Sequence, residues 1–318
     1  MITVWAPDGV GEVRHGDDLA DHLLGALSEC DLADGDVVCV TSKVVSKAEG
    51  RDVVGDRAEA IVRETRRLVA RRGSLSIVVN RLGLTMAAAG VDASNVETGR
   101  VLLLPEDPDA TARRLRADLL ERTGAGVAVV VTDTAGRAWR EGQTDIAVGA
   151  AGLRVLDDHA GRVDPYGNTL AVTAPAVADE LAGAAELAAG KLARRPFVVV
   201  RGRGDLVLPP GEDGPGAAAL LRPEGADLFG LGAREAVLAA LRGSDDDRAA
   251  FGGPADAVEL RDLLAGLTGA EVGLVDGAIE VVSEDGRTGW VVAVAAYAHG
   301  WLVDERAPVG VRLRPITT

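Results

Sequence analysis

The tightest constraint on this chain is a short apolar run, Val127 to Val131, that ends abruptly in chemistry. Five consecutive apolar residues read as a buried strand. Directly after them stand Thr132-Asp133-Thr134-Ala135-Gly136-Arg137-Ala138-Trp139-Arg140-Glu141-Gly142, which bring a carboxylate, hydroxyls, glycines and arginines into one short stretch. In α/β proteins ligands gather outside the carboxyl ends of strands. A hard cation takes oxygen ligands, and a phosphate takes guanidinium forks and free backbone amides. Taken alone, Asp133 or Arg137 fits a turn with a solvated ion pair better than a binding site.

Two further segments change that balance. Ala87-Ala88-Ala89-Gly90-Val91-Asp92-Ala93-Ser94-Asn95 is a run of small residues that closes on Asp, Ser and Asn. Small side chains let a backbone approach a ligand closely, and Asp92 is a second carboxylate. Thr41-Ser42-Lys43-Val44-Val45-Ser46-Lys47-Ala48-Glu49-Gly50-Arg51 follows the apolar run Val37 to Val40. Its two lysines stand four apart with hydroxyls beside them, which suits a polyphosphate. An exposed helix start with capping serines is the competing reading.

Strand-like and helix-like stretches alternate, which predicts a mixed α/β fold. Helices are expected from Gly16-Asp17-Asp18, with Leu19, Leu23, Leu24 and Leu27 on one face, and over Arg57 to Arg72, with Ala60, Ile61, Glu64 and Leu68 at helical spacing. Asp107-Pro108 marks another start, an acidic cap before proline, running to about Arg122. Further helices are expected from Thr173-Ala174-Pro175 to near Gly190 and over Ala233 to Leu241. Strands are expected at Val37 to Thr41, Leu75 to Val79, Val101 to Leu104 and Phe197 to Arg201. The acidic run Gly243-Ser244-Asp245-Asp246-Asp247 marks a domain boundary. Beyond it a helix over Ala257 to Leu267 and strands at Val272 to Val275, Ile279 to Val282 and Trp290 to Ala296 suggest a small α+β unit, with Asp276-Gly277 as a hairpin turn.

Composition excludes several classes. The formal net charge of -15 argues against binding nucleic acid or an anionic membrane surface. Any polyphosphate must therefore be neutralised locally, by metal ions and a few placed cations. Aromatic residues make up only 3%, so the core is built from Ala, Val and Leu. Cys30 and Cys39 have no metal-ligand spacing and make no disulfide framework. No signal peptide and no membrane-length apolar run is recognised, so the expectation is a soluble, cytoplasmic protein.

The three segments, with others in the same order, resemble the F420-0:L-glutamate ligase family, which adds L-glutamate to the deazaflavin coenzyme F420 precursor. The similarity starts at Gly16-Asp17-Asp18-Leu19. It continues through Leu104-Pro105-Glu106-Asp107-Pro108-Asp109, Ala147-Val148-Gly149-Ala150-Ala151-Gly152, Asp164-Pro165-Tyr166-Gly167, Ala178 to Ala182 and Pro196 to Gly202. It ends at Asp227-Leu228-Phe229, so it spans roughly the first three quarters of the chain. The resemblance implies a ligase domain over residues 1–243 with mixed sheets; the α+β extension over 244–318 is read from its own residues and lies outside the resemblance. The resemblance also implies a GTP-dependent reaction through an acyl phosphate, releasing GDP and phosphate, in an intertwined homodimer.

The resemblance further assigns roles. Asp92 and Asp133 are implied ligands of one divalent ion. Thr134 is implied, through hydroxyl or carbonyl oxygen, for a second; Mg²⁺ or Mn²⁺ suits such oxygens. A monovalent cation such as K⁺ is a further candidate. Nucleotide contacts are implied at Gly11, Glu12, Val13, Ser42, Lys43, Lys47, Asn95, Ala189, Gly190 and Lys191. Arg137 and Arg140 are implied for phosphate or substrate-carboxylate binding. Two departures stand out: the stretch between Arg51 and Asp92 is short for the family, and Arg81 to Ala89 replaces more polar family residues. A metal-dependent phosphohydrolase, a ligase with another acceptor and a non-catalytic deazaflavin- or nucleotide-binding protein remain the alternatives.

Overall fold

The computed structural model describes residues 1–27, 32–94, 96–307 and 310–316. Cys30 and Asn95 lie outside the described residues. The elements are β1 (Thr3–Trp5), α1 (Leu19–Ala26), β2 (Val37–Thr41), α2 (Ser42–Ala48), β3 (Asp52–Val54), α3 (Arg57–Glu64), β4 (Thr65–Arg72), β5 (Leu75–Asn80), β6 (Thr85–Ala87) and β7 (Arg100–Leu102). They continue with α4 (Pro108–Thr123), β8 (Ala128–Gly136), β9 (Gln143–Ala151), α5 (Val177–Ala189), β10 (Phe197–Arg201), α6 (Ala233–Arg242), α7 (Ala257–Thr268), β11 (Glu271–Val275), β12 (Ala278–Val282), α8 (Gly286–Ala298), β13 (Trp301–Ala307) and β14 (Gly310–Pro315). The fold is mixed α/β.

The chain divides into two compact units. One is residues 1–68 with 73–221, and the other is 69–72 with 222–318. The division therefore falls at Leu221, ahead of the acidic run that begins at Gly243.

The first unit is organised by a five-stranded sheet in the order β1-β10-β2-β8-β9. The β2–β8 pair is parallel and the others are antiparallel. Because side chains alternate along a strand, each central strand feeds two cores. Val38, Val40, Val129 and Val131 pack with α1 and α4 residues such as Leu23, Leu115 and Leu119. Val37, Cys39, Ala128 and Val130 pack with α5 residues such as Val177, Ala178 and Leu181. Both faces are covered, which explains why these strands read as unbroken apolar runs. Burial pushes the Cys39 thiol up to about 12, so it is an inert part of the packing.

Aspartate caps start α1, α3 and α4. The Asp18 carboxylate accepts the amides of Ala20 and Asp21, that of Asp56 accepts Ala58 and Glu59, and that of Asp107 accepts Ala110. Each satisfies amides that the first helical turn leaves unpaired. Pro108 holds the first position of α4, and Gly124 at φ 74° closes it.

Two expected elements are different. The helix over Arg57 to Arg72 stops at Glu64, and Thr65–Arg72 is a strand. Thr65 is β-branched and extended (φ -87°, ψ 124°), and exposure alternates from Thr65 to Val69 with the period of a strand. The same apolar positions fit a helical spacing, so periodicity alone did not separate the two. In the second unit, Trp290 to Ala296 is not a strand but the centre of α8. The Asp285 side chain caps its start, and Val292 and Ala296, four apart, are buried on one face. The other tail elements form as expected: β11 and β12 turn through Asp276-Gly277, and the sheet runs β11-β12-β14-β13 over a core of Leu260, Leu264, Ile279, Val292 and Leu313.

Packing between α4 and β9 leaves no room at Gly149, where an added Cβ would lie 2.5 Å from the Pro108 carbonyl. Gly149→Ala should destabilise the protein by about 1–3 kcal/mol in urea denaturation, the usual cost of overpacking. Gly25, within α1, has open space around an added Cβ, and Gly25→Ala should instead stabilise by roughly 0.5–1 kcal/mol.

Candidate functional site

The parallel pairing of β2 and β8 ends at Thr41↔Thr132. One residue further on, both chains have reached the same edge of the sheet. Ser42 opens α2, and its Oγ donates to Asp133 Oδ1 at 2.8 Å. Contrary to a simple strand-end turn, β8 continues through Asp133 to Gly136, paired with β9. Asp133 keeps only part of its surface, and burial raises its carboxyl from the usual 3.8 to about 6. The Ser42 hydroxyl and the Lys43 charge pull it down, while the neighbouring Asp145 charge pushes it up.

Asp92 approaches from the other side. Ala88, Ala89 and Gly90 take successive left-handed conformations (φ 52°, 56° and 77°), which for alanine costs roughly 1–2 kcal/mol per residue. The Asn80 side chain holds this corner, accepting the amides of Leu82 and Leu84 and donating to the Ala89 carbonyl. Asp92 is then fixed to Leu102 by two backbone hydrogen bonds. Its carboxylate takes the Lys43 ammonium, the Ser94 amide at 2.8 Å and the Ser94 hydroxyl at 2.8 Å. Burial alone would raise the Asp92 carboxyl, but these donors outweigh it and hold it below the usual carboxylate range.

Lys47, one turn after Lys43 on α2, donates to Glu12 at 2.5 Å. Beside it opens a cleft of about 690 Å³, lined by Glu12, Val13, Lys47, Asp52, Glu97 and Arg100 among others. Three of the expected nucleotide residues thus share one cavity.

Alternation along β8 turns Thr134 to the opposite face from Asp133. There its hydroxyl donates to Asp145 Oδ1 at 2.8 Å and accepts Lys191 Nζ at 2.7 Å. Lys191 follows Gly190, the residue that ends α5, so the expected Ala189-Gly190-Lys191 contact is brought to Thr134. Arg137 and Arg140 are exposed in the β8–β9 connection, where Arg137 donates to the Glu141 carbonyl at 2.7 Å. The structure gives no contact between either arginine and Asp92 or Asp133. The residue missed in the sequence is Asp145, which lies across the hairpin from Thr134. Its signal would have been a lone aspartate two residues past Gln143, opposite the Asp133-Thr134 motif.

Among the described residues no three Asp, Glu, His or Cys side chains gather as a ready metal cluster. A divalent ion would therefore draw on Asp133 or Asp92, a threonine oxygen, and phosphate or water oxygens. That matches the habit of Mg²⁺, which takes one or two carboxylates and keeps other oxygens. The enclosed Asp133 carboxylate, resisting ionisation, is a group that a cation would compensate.

The molecule is thus a mixed α/β protein whose central sheet gathers carboxylates, hydroxyls and lysines at its strand ends, beside a cleft lined by charged residues. The sequence profile of F420-0:Gamma-glutamyl ligase matches residues 9–202. The Coenzyme F420:L-glutamate ligase of Methanothermobacter thermautotrophicus is 37% identical over 254 residues, 72% of this chain and 98% of that protein. Those of Methanopyrus kandleri and Natronomonas pharaonis are 40% and 43% identical, over 60% and 62% of this chain and 83% and 84% of theirs. The chain belongs to the F420-0:gamma-glutamyl ligase family. No described helix is long and apolar enough to cross a membrane.

The raised Asp133 carboxyl sets a pH test. A folded-state value above the unfolded one favours the folded state below about pH 4, and that contribution is lost as pH rises through about 6. Asp133→Asn removes the titration and can still accept from Ser42. With divalent ions chelated, the unfolding free energy of Asp133→Asn relative to wild type should rise by about 2 kcal/mol between pH 4 and pH 7.5. Equal differences at both pH values would remove the claim that Asp133 is desolvated.

Proposed function

We propose that this protein joins L-glutamate to the deazaflavin precursor F420-0 in a GTP-dependent reaction through an acyl phosphate, releasing GDP and phosphate. One observation supports this most: Ser42 and Lys43, at the start of α2, meet Asp133 and Asp92 directly, one helical turn from the cleft that Lys47 lines. The relatives named above are called Coenzyme F420:L-glutamate ligase.

A carboxylate is a poor electrophile, so forming an amide in water needs activation by phosphoryl transfer. That step is largely a matter of positioning and of neutralising charge. In the proposed reaction the nucleoside of GTP lies in the cleft beside Glu12 and Val13. Lys43 and Lys47 hold its phosphates, with Lys191 as a third cation near Thr134. Lys43 is now paired with Asp92 and Lys47 with Glu12. A phosphate takes the lysines, and Asp92 is then released to a cation. Asp92 and Asp133 would hold one divalent ion, Mg²⁺ or Mn²⁺, and Thr134 a second on the other face of the sheet, and these ions would supply charge neutralisation to the phosphates. Arg137 and Arg140 take the carboxylate or phosphate groups of the acceptor. A K⁺ ion and a homodimeric assembly complete the proposal.

The test is an assay with purified protein, GTP, Mg²⁺ or Mn²⁺, L-glutamate and unglutamylated deazaflavin, read by mass spectrometry. A mass gain of one or more glutamyl units that needs both GTP and metal is the expected result. GDP formation without mass gain would turn the reading towards hydrolysis or another acceptor. No GTP turnover would turn it towards a binding protein. Asp133→Asn should abolish turnover with its circular dichroism unchanged, and an active Asp133→Asn enzyme of normal metal dependence would overturn the metal assignment.

A further inference from the structure

Within the β8–β9 hairpin, Asp145 is directly opposite Thr134. It is nearly buried, at 9% exposure. One carboxylate oxygen accepts the Thr134 hydroxyl at 2.8 Å, and the other accepts the Thr132 hydroxyl at 3.0 Å. The register shift between Val131 and Thr132 sets this pairing. Thr132 and Thr134 are two apart on one strand and so share a face, and Asp145 spans them.

The orientation of the Thr134 hydroxyl follows from the partners. Lys191 reaches the same oxygen at 2.7 Å and also pairs with Glu186 at 3.1 Å. An ammonium only donates, so the oxygen must accept from Lys191 and send its own proton to Asp145. A hydroxyl has one proton and two lone pairs. Lys191 takes one pair, and the second is directed away from both partners. Thr132, 4% exposed, has no such opening; its part is to anchor the other carboxylate oxygen.

We propose that Asp145 is a positioning residue for the proposed reaction: by holding the Thr134 proton, it presents the Thr134 oxygen as a pure acceptor to a divalent cation and keeps Lys191 beside it. This rests on the reading of Thr134 as a metal ligand. Asp145 would reach that cation through Thr134, while its charge is also felt at Asp133. Outer partners that orient metal ligands typically change metal affinity by roughly 10- to 100-fold when replaced.

The test measures Mn²⁺ affinity by electron paramagnetic resonance, on the full chain with the non-hydrolysable analogue guanylyl imidodiphosphate, so that no turnover is needed. Asp145→Asn is nearly isosteric but cannot accept both hydroxyls. It should weaken the weaker of two Mn²⁺ sites by about tenfold or more, with a smaller change in the site served by Asp133, which also feels the Asp145 charge. In a Thr134→Val background, Asp145→Asn should add nothing further. Thr132→Val, which loosens Asp145 without touching the ion, should weaken the same site by a smaller factor and serves as the second variant should Asp145→Asn fail to fold. Additive losses in the double variant, or unchanged Mn²⁺ affinity in Asp145→Asn and Thr132→Val, would overturn the role. Wild-type protein that binds the analogue but only one Mn²⁺ would overturn it together with the assignment of Thr134, while leaving the ligase reading intact. Wild-type protein that binds neither would overturn both.

Discussion

The parallel register between β2 and β8 is the constraint on which the rest of the site depends. Each strand is apolar until its last residues, because helices cover both faces of the sheet. Each then becomes polar at the same height, since Val37 pairs with Ala128 and Thr41 with Thr132. A slip of one residue would turn Val129 and Val131 out of their core and Ala128 and Val130 into it. It would also separate Ser42 from Asp133. The hydrophobic pattern that stabilises the sheet therefore also sets the position of the charged groups at its edge. The polar cluster at the strand ends is here a direct consequence of core packing.

Alternation extends this logic past the core. The face of β8 that packs Val129 and Val131 goes on to present Asp133 to α2. The face that packs Val130 goes on to present Thr132 and Thr134 to Asp145 and Lys191. One strand thus serves two polar clusters, one on each side of the sheet. They communicate electrostatically, since the Asp145 charge opposes ionisation of Asp133. Asp145 is itself held above the usual range, first by burial and then by the charge of Glu186, against the pull of its threonine donors and Lys191.

Much of this was legible in the sequence, and the two misread elements have a common cause. β2 and β10 were readable to the residue because they are apolar on both faces, and α4 because Asp107, Pro108 and Gly124 fix its ends by local chemistry. The strand Thr65–Arg72 and the helix Gly286–Ala298 were misread because short amphipathic or apolar runs satisfy either period. There, tertiary packing decided the outcome. For the site, Ser42, Lys43, Asp92, Asp133 and Lys191 stood in recognisable motifs, and the fold draws them to the two faces of one sheet edge. Asp145 was invisible for a different reason. Its importance comes from a cross-strand register and a bulge, and neither is written in the local pattern around Gln143.

The proposed binding of a polyphosphate by an acidic chain would meet a conflict, because the carboxylates needed for cations also repel phosphate. The arrangement here resolves it by pairing. Lys43 is matched to Asp92, Lys47 to Glu12 and Lys191 to Glu186, so each of these three lysines has an acid beside it. Such pairs are only part-buried, and exchanging one partner for another of the same sign costs less than exposing a bare charge. Phosphate can replace the carboxylate on each lysine, and a divalent ion can replace the lysine on each carboxylate. Neither exchange is favourable alone, since each leaves a charge without its partner. Together they restore neutrality, so cation and nucleotide should each raise the affinity for the other by the same factor, as linkage requires. In that proposal the net charge of -15 would favour selectivity, because a polyphosphate without its metal meets more repulsion than a metal-bound one.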